Sequence, residues 1–298
     1  MKIGYPCINL SFDCRSSRTF RFKNYSKERL ISTVKGNLEC LQKILQYNLE
    51  KDIKFFRITS DLVPFASHKV MNTDWQEIFQ SQFNEIGKYI KKNNMRITMH
   101  PGQYTVLNST REGVFRRSLK EIKYHVEVLD LMGLDATAKV QVHVGGVYND
   151  KEKSKARFIQ RYNNYKQKIK DRLVIENDDK SYNLADCLEI YQKTDIPIIF
   201  DIYHHTCNKS GESIKEGFKK FTKTWNRKDG LPIIHYSDEH PIKGKPSHSE
   251  HIKMSNFKKF IIETKDFNFD IMLEIKDKET SALEAIKYLR NDSRFNTD

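Results

Sequence analysis

The sequence predicts an α/β protein built as a single (β/α)8 TIM barrel, one catalytic domain over residues 1–298. Three observations predict it. The length of 298 residues is ordinary for one such barrel. Eight short apolar runs alternate with helical stretches. His, Asp and Glu recur at the ends of those runs, the rim on which α/β barrels build their active sites.

The apolar runs cover 2–6, 55–59, 96–99, 139–144, 173–175, 196–200, 231–234 and 270–273. They are too short for helices, and several are rich in Ile and Val, so they read as buried strands. Between them lie helices with a recognisable apolar stripe. Leu30, Val34, Leu38, Leu41 and Leu45 share one face after Ser26, a candidate N-cap. Residues 75–89 give the next helix, and Phe115, Leu119, Ile122, Val126 and Leu129 mark the third. Residues 154–169 read as one helix, Leu184, Leu188 and Tyr191 as another capped by Asn183. Ser213 starts a further helix, 254–264 supplies the next, and Ser281 caps the last, with Leu283, Ile286 and Leu289 on its face. An open doubly wound sheet would usually carry a Gly-rich phosphate turn after its first strand. Here that turn is Tyr5-Pro6-Cys7-Ile8-Asn9, without glycine, which argues for the barrel and against a nucleotide cofactor.

Composition narrows the class. Hydrophobic residues make up 38% and charged residues 31%, as in a soluble protein with amphipathic surface helices. No run approaches the ~18 apolar residues of a membrane helix. The N-terminus reads as a strand rather than a signal peptide, giving an expectation of a cytoplasmic or other intracellular setting. Five cysteines without a CxxC pair point to reduced, mostly buried thiols. The net charge of +13 favours a polyanionic partner, although a Lys-rich background composition would give the same surplus.

The strand ends carry the chemistry. His100 ends the third strand, His143 lies at the end of the fourth, Glu176 ends the fifth, and Asp201 ends the sixth with His204 three residues on. His235 ends the seventh, the following loop carries Asp238, His240, His248, Glu250 and His251, and Glu274 ends the eighth. A lone strand-end histidine is usually structural, but six consecutive strands delivering such groups to one rim point to cations. Buried carboxylates are costly unless paired or metal-bound. Imidazole and carboxylate without thiolate suit Mn²⁺, Zn²⁺ or Fe²⁺. The candidates outnumber what one ion takes, so two or three divalent ions are expected, with Glu176 or Glu274 as a bridge. Such an arrangement suits phosphoryl-ester hydrolysis.

At this point the motifs resemble the UV-damage endonucleases. The matching segments are Gly4-Tyr5-Pro6-Cys7-Ile8-Asn9, Phe56-Arg57-Ile58-Thr59-Ser60-Asp61-Leu62-Val63-Pro64-Phe65-Ala66-Ser67-His68 and His100-Pro101-Gly102-Gln103-Tyr104. They continue through Val142-His143-Val144-Gly145-Gly146, Glu176-Asn177-Asp178, Phe200-Asp201-Ile202-Tyr203-His204-His205, His235-Tyr236-Ser237, His248 and Met272-Leu273-Glu274-Ile275-Lys276-Asp277-Lys278-Glu279. More distant resemblance extends to endonuclease IV and the xylose isomerase-like barrels. The resemblance implies an endonuclease that incises double-stranded DNA immediately 5′ to UV photoproducts, cyclobutane dimers and 6-4 photoproducts, through metal-activated hydroxide. It implies Mn²⁺ foremost, with Zn²⁺ or Mg²⁺ as alternatives, held by His100, His143, Glu176, Asp201, His204, His235, His248 and Glu274. It places His68 beside the cluster, and Tyr5, Asn9, Gln103 and Tyr104 at the DNA-probing positions. It also implies, in some members, a modified lysine two residues before the strand-seven histidine, where this chain has Ile233.

A dimer-bearing duplex yields more readily to bending, so a wedge and a pocket can find the lesion without base-edge readout. Gln103-Tyr104 directly follows His100, and tyrosine can stack on an unpaired base. Arg15 and Arg18, with Arg21 and Lys23, occupy the first rim loop, and Lys243 and Lys245 the seventh, all expected to hold the DNA backbone. The Lys-dense stretch 151–172 reads as a solvated outer face. Lys276 and Lys278 follow Glu274 and either approach the scissile phosphate or form a structural ion pair. Catalysis is expected from Glu176, Glu274, His68 and Lys276, in a monomer. Two other classes fit parts of the pattern: a metal-dependent sugar isomerase or epimerase on the same scaffold, and a lesion-binding protein without catalysis.

Overall fold

The computed structural model describes residues 1–295. Eight strands form a closed barrel in sequence order: β1 (Ile3–Pro6), β2 (Phe55–Ile58), β3 (Arg96–Met99), β4 (Lys139–His143), β5 (Leu173–Glu176), β6 (Ile198–Asp201), β7 (Ile233–Tyr236) and β8 (Asp270–Leu273). All neighbouring pairs are parallel, and β1 closes on β8 with Ile3 opposite Ile271. Closure removes every sheet edge.

The connecting helices are α1 (Lys27–Glu50), α2 (Trp75–Lys92), α3 (Glu112–Leu131), α4 (Lys151–Asn163), α5 (Gln167–Lys170), α6 (Leu184–Thr194), α7 (Ile202–Cys207), α8 (Ile214–Phe221), α9 (Met254–Glu263) and α10 (Glu279–Leu289). Three expected caps are in place. Ser26 accepts from Arg29 N, and Asn183 and Ser213 each close a capping box. Leu30, Val34, Leu38, Leu41 and Leu45 are all buried, so the α1 stripe faces the barrel.

Three sequence expectations need correction. The 154–169 helix is two: α4 begins earlier, at an Asp150 cap that accepts from Lys153 N, and it breaks before α5. Ser281 does not cap the last helix. α10 starts at Glu279, and the Ser281 hydroxyl donates to Asp277 Oδ1 at 2.5 Å and accepts from Ile252 N at 3.0 Å. The cysteines are not all reduced, because Cys14 and Cys40 form a disulfide that ties the first rim loop to α1. Spacing gave no sign of it, since the two residues meet only when that loop folds back on the helix.

Side chains alternate across each strand, so i and i+2 share a face. Lys139, Gln141 and His143 on β4 therefore line one side, as do Arg96, Thr98 and His100 along β3. The barrel is consequently filled by polar layers as well as apolar ones. Near its floor Arg96 pairs with Asp270 at 3.2 Å, and Lys139 with Asp229 at 2.5 Å. Both cations are buried, and each partner offsets part of the desolvation cost.

Candidate metal centre and DNA rim

Strand register brings the rim groups together. His143 on β4 stands opposite Glu176 on β5, and Asp201 on β6 opposite His235 on β7. Among the described residues three groups result whose ligand atoms lie within 4.8 Å of one another: His100–His143–Glu176, Glu176–Asp201–His204 and Glu176–His235–Glu274. Glu176 belongs to all three, so it, rather than Glu274, is the central carboxylate. His248 lies beside the cluster but belongs to none of these groups. Its ring lies 5.9 Å from that of His204, and its Nδ1 faces the Glu274 carbonyl at 2.9 Å, which directs Nε2 elsewhere.

The side chains fit a cation. His100 Nδ1, His143 Nδ1 and Asp201 Oδ2 are buried without a hydrogen-bond partner. Buried polar atoms normally have partners, so the unmet acceptor capacity clusters where ions would supply it. Electrostatics point the same way. Burial, and then the neighbouring His143, push His100 down to about 3, leaving it a neutral imidazole. Burial raises Asp201, helped by Glu176 and Glu274 and opposed by His204. Burial also opposes ionisation of Glu176, but His235, His143 and His204 hold its carboxyl well below the usual range. Burial would lower His204, yet Asp201, Glu176 and Glu274 outweigh it and raise the imidazole to about 9. The same carboxylates that favour this proton would favour a metal cation.

Supporting residues lie around the cluster, and sequence reasoning did not assign them a place in the site. Arg57 on β2 reaches across the barrel, its Nη2 2.7 Å from Glu274 Oε1 and 2.9 Å from His235 Nε2. A guanidinium only donates, so Nε2 accepts and the proton lies on Nδ1, which donates to Glu176 Oε1 at 2.7 Å. This assignment follows from the hydrogen-bond network. Gln141 donates to Glu176 Oε2 at 3.1 Å. Asn177 accepts from Asp201 N at 2.9 Å and donates to Asp201 O at 3.0 Å, while its own carbonyl meets His204 Nδ1 at 3.0 Å. Asp201 caps α7 by accepting from His204 N at 2.7 Å. The cap at the start of α7 and the Asn177 carbonyl together fix the direction of His204. These roles required knowing which strand faces which, and only for Arg57 was there a sequence signal, a charge inside an apolar run. Ile233 is fully buried two residues before His235 and offers no ligand atom.

The loops after β3 and β4 are clipped together. Asn108 donates to Gly146 O at 2.8 Å and accepts from Gly146 N at 3.0 Å. Gly145 has φ of +116°, and a Cβ there would meet Asn108 Oδ1 at 2.3 Å, so glycine is required. From α4, Arg157 donates to Asn108 O at 2.6 Å, and Arg161 to Leu107 O at 2.7 Å and Ser109 O at 2.8 Å. Lys155 is buried between Asp186, Glu152 and Glu189. The reading of 151–172 as a merely solvated face is corrected for these three side chains.

The expected DNA contacts divide. Gln103 and Tyr104 are exposed, Tyr104 at 85%. Arg18 and Lys243 are exposed as well. Tyr5 and Asn9 are not: both are fully buried, with the Tyr5 hydroxyl donating to Asn48 on α1 at 2.6 Å and accepting from Asn9 at 2.8 Å. Tyr5 points outward from β1 to the helix layer, so direct probing by this pair is corrected to a packing role. Arg15 folds onto its own loop, donating to the Phe12 and Cys14 carbonyls. Lys245 donates to Thr206 O at 2.7 Å. Lys276 pairs with Glu250 at 2.6 Å, which selects the ion-pair reading over approach to the phosphate. Lys278 is half-buried and interacts electrostatically with Cys7, Glu274 and Arg57. His68 is exposed, belongs to none of the three cation groups, and rests against Phe22 at 5.4 Å.

The profile of the family "UV-endonuclease UvdE" matches residues 1–297. The chain belongs to this family. Membership makes it a nuclease of the UV-endonuclease type, on a TIM barrel. A UV DNA damage endonuclease of Clostridium perfringens is 42% identical over 292 residues, covering 97% of this chain and 71% of that protein. One from Bacillus thuringiensis is 33% identical over 299 residues, covering 97% and 94%. Among solved structures, SacUVDE superposes with a TM-score of 0.93 at 43% identity, covering 97% of this chain and 98% of that one. D-Psicose 3-epimerase from Clostridium cellulolyticum superposes at 0.57 with 11% identity over 85% of this chain and 93% of that one, a likeness of fold alone. No helix among the described residues is long and apolar enough to cross a membrane.

Proposed function

We propose that this UV-endonuclease family member incises double-stranded DNA immediately 5′ to UV photoproducts, including cyclobutane dimers and 6-4 photoproducts, with two or three divalent cations, Mn²⁺ foremost. The observation that carries the reading is the sharing of Glu176 by three cation-holding groups at a mouth whose rim exposes Gln103, Tyr104 and cationic side chains. The relatives' names as UV DNA damage endonucleases support the substrate.

Bound divalent ions would supply positive charge to the phosphodiester and its leaving oxygen and make a water molecule more acidic. His100, His143, Glu176, Asp201 and His204 would hold them, with His235, His248 and Glu274 on the far side. Arg57 keeps Glu274 and His235 fixed and carries a permanent charge beside them. Asn177 aims Asp201 and His204, and Gln141 orients Glu176. Lys278, facing Glu274, is placed to attract the phosphate. Gln103 and Tyr104 meet the duplex first, where a damaged step unstacks at lower cost than an intact one.

The test is nicking of supercoiled plasmid with Mn²⁺, before and after UV irradiation. Strong preference for irradiated plasmid is expected. Equal nicking of both forms overturns lesion specificity, and no nicking with any divalent ion overturns the nuclease. Salt gives a second criterion: binding should weaken steeply as salt rises, as for any protein neutralising several phosphates.

A further inference from the structure

Five of the large apolar side chains that stand exposed lie on the loops at the catalytic end: Leu10 and Phe22 after β1, Tyr104 after β3, Tyr148 after β4 and Ile242 after β7. Single exposed apolar residues are ordinary on protein surfaces. Ile242 differs in degree and in setting. It is 90% exposed, more than Tyr104 at 85%. Its loop is built to hold it there. The buried His240 accepts from both Ile242 N and Lys243 N, each at 3.1 Å, and its carbonyl accepts from Gly244 N at 3.0 Å. His240 N donates to Ser247 O at 2.9 Å, and Glu239 bridges to His248 at the base. The tip is therefore a braced turn, flanked by Lys243 and Lys245, whose base carries a candidate ligand.

Position completes the argument. In a closed eight-stranded barrel in sequence order, β3 and β7 are four strands apart in either direction. Tyr104 and Ile242 therefore rise from opposite sides of the mouth, with the Glu176 cluster between them. Proteins that kink duplex DNA insert apolar wedges, Ile among them, between base steps, with cationic side chains beside them to hold phosphates.

We propose that Ile242 is a second wedge, entering the duplex on the far side of the lesion from Tyr104. Two insertions on either side of the cluster bend the DNA across it and present the phosphodiester between them. Lys243 holds the adjoining backbone. This rests on the proposed lesion-specific incision and names a residue that helps set its specificity.

The test uses the full chain with Mn²⁺ and a duplex bearing one cyclobutane dimer, with 2-aminopurine in the complementary strand. Ile242→Ala should lower kcat/KM on this duplex by about tenfold, the scale of one lost apolar insertion. It should also remove the rise in 2-aminopurine fluorescence on binding. Ile242→Met and Ile242→Leu should restore both. Incision of the same dimer in an already unpaired bubble should be spared, because no step remains to be opened. Equal loss on duplex and bubble overturns the wedge, as does kcat/KM within twofold of the parent. Loss of a self-associated form in Ile242→Asp, with incision intact, would assign the tip to a second copy of the chain and also overturn it. Failure of the parent chain to nick the dimer duplex would instead overturn the proposed function, and the fluorescence readout separates the two.

Discussion

His235 Nδ1 lies 2.7 Å from Glu176 Oε1, a buried hydrogen bond joining β7 to β5 across the barrel mouth. It makes Glu176 dependent on a strand two places away, and it places the carboxylate common to all three cation groups at a fixed point.

Glu176→Gln should therefore cost more than any other single change at the rim. Incision and Mn²⁺ affinity are both expected to fall by about a hundredfold or more, the upper range for disturbing ligand and support together. Isothermal titration and plasmid nicking measure the two. Near-parental values in either would remove Glu176 from the centre of the site.

Arg57→Gln takes away the buried cation that neutralises Glu274. The ion-free variant should lose about 3 kcal/mol of stability, as for one partner of a buried pair. Mn²⁺ should return much of it by taking over the neutralisation. Thermal melts with and without Mn²⁺ give the readout: the metal-induced rise in Tm should be larger in the variant. Equal rises in both proteins would show that Arg57 and the ions act on separate charges.

The raised His204 imidazole makes ion binding pH-dependent. The group is protonated below about 9 when no ion is present, so a cation must displace that proton. Mn²⁺ affinity should fall as pH drops below about 9, by about tenfold per pH unit for one displaced proton. His204→Gln should flatten this profile. A parental affinity that is constant between pH 7 and 9 is the contrary result.

At the opposite end, Lys139 and Asp229 form a pair far from the chemistry. Lys139→Met leaves the buried Asp229 carboxylate without its ion-pair partner, though still accepting from Asn226 N, and should cost about 3 kcal/mol in urea unfolding. A loss below about 1 kcal/mol would mean that the floor tolerates the charge through Arg96 and water.

Tyr104→Ala should leave Tm unchanged, since the ring makes no contact that the fold needs at 85% exposure. Its preference for damaged over intact duplex should drop about tenfold, within the range of one lost base–aromatic stack. Competitive binding checks this, and an unchanged ratio would leave recognition to other loops.

Most of the architecture was legible because short continuous apolar runs and caps such as Asn183 and Ser213 are local signals. The clustering of the candidate ligands was legible because strand ends in a barrel share one rim. What stayed hidden depends on tertiary placement. Whether Tyr5 faces the mouth or α1 is decided by strand facing, which its short strand did not disclose. Arg57 occupies an apolar run and finds its partners 178 and 217 residues away. Lys276 was ambiguous until Glu250 proved to be within reach, and Cys14 and Cys40 read as reduced thiols because their bond depends on the first loop folding back onto α1. Ser281 resembles a cap, but Asp277 and Ile252 claim its hydroxyl.

The clip between Asn108 and Gly146 has a mechanical consequence. Tyr104 and Asn108 share one loop, and Gly146 follows His143 by three residues, so the exposed ring and the candidate ligand belong to one hydrogen-bonded linkage anchored by Arg157 and Arg161. A push on that exposed ring would pass through the braced loop towards His143, one of the imidazoles proposed to hold an ion.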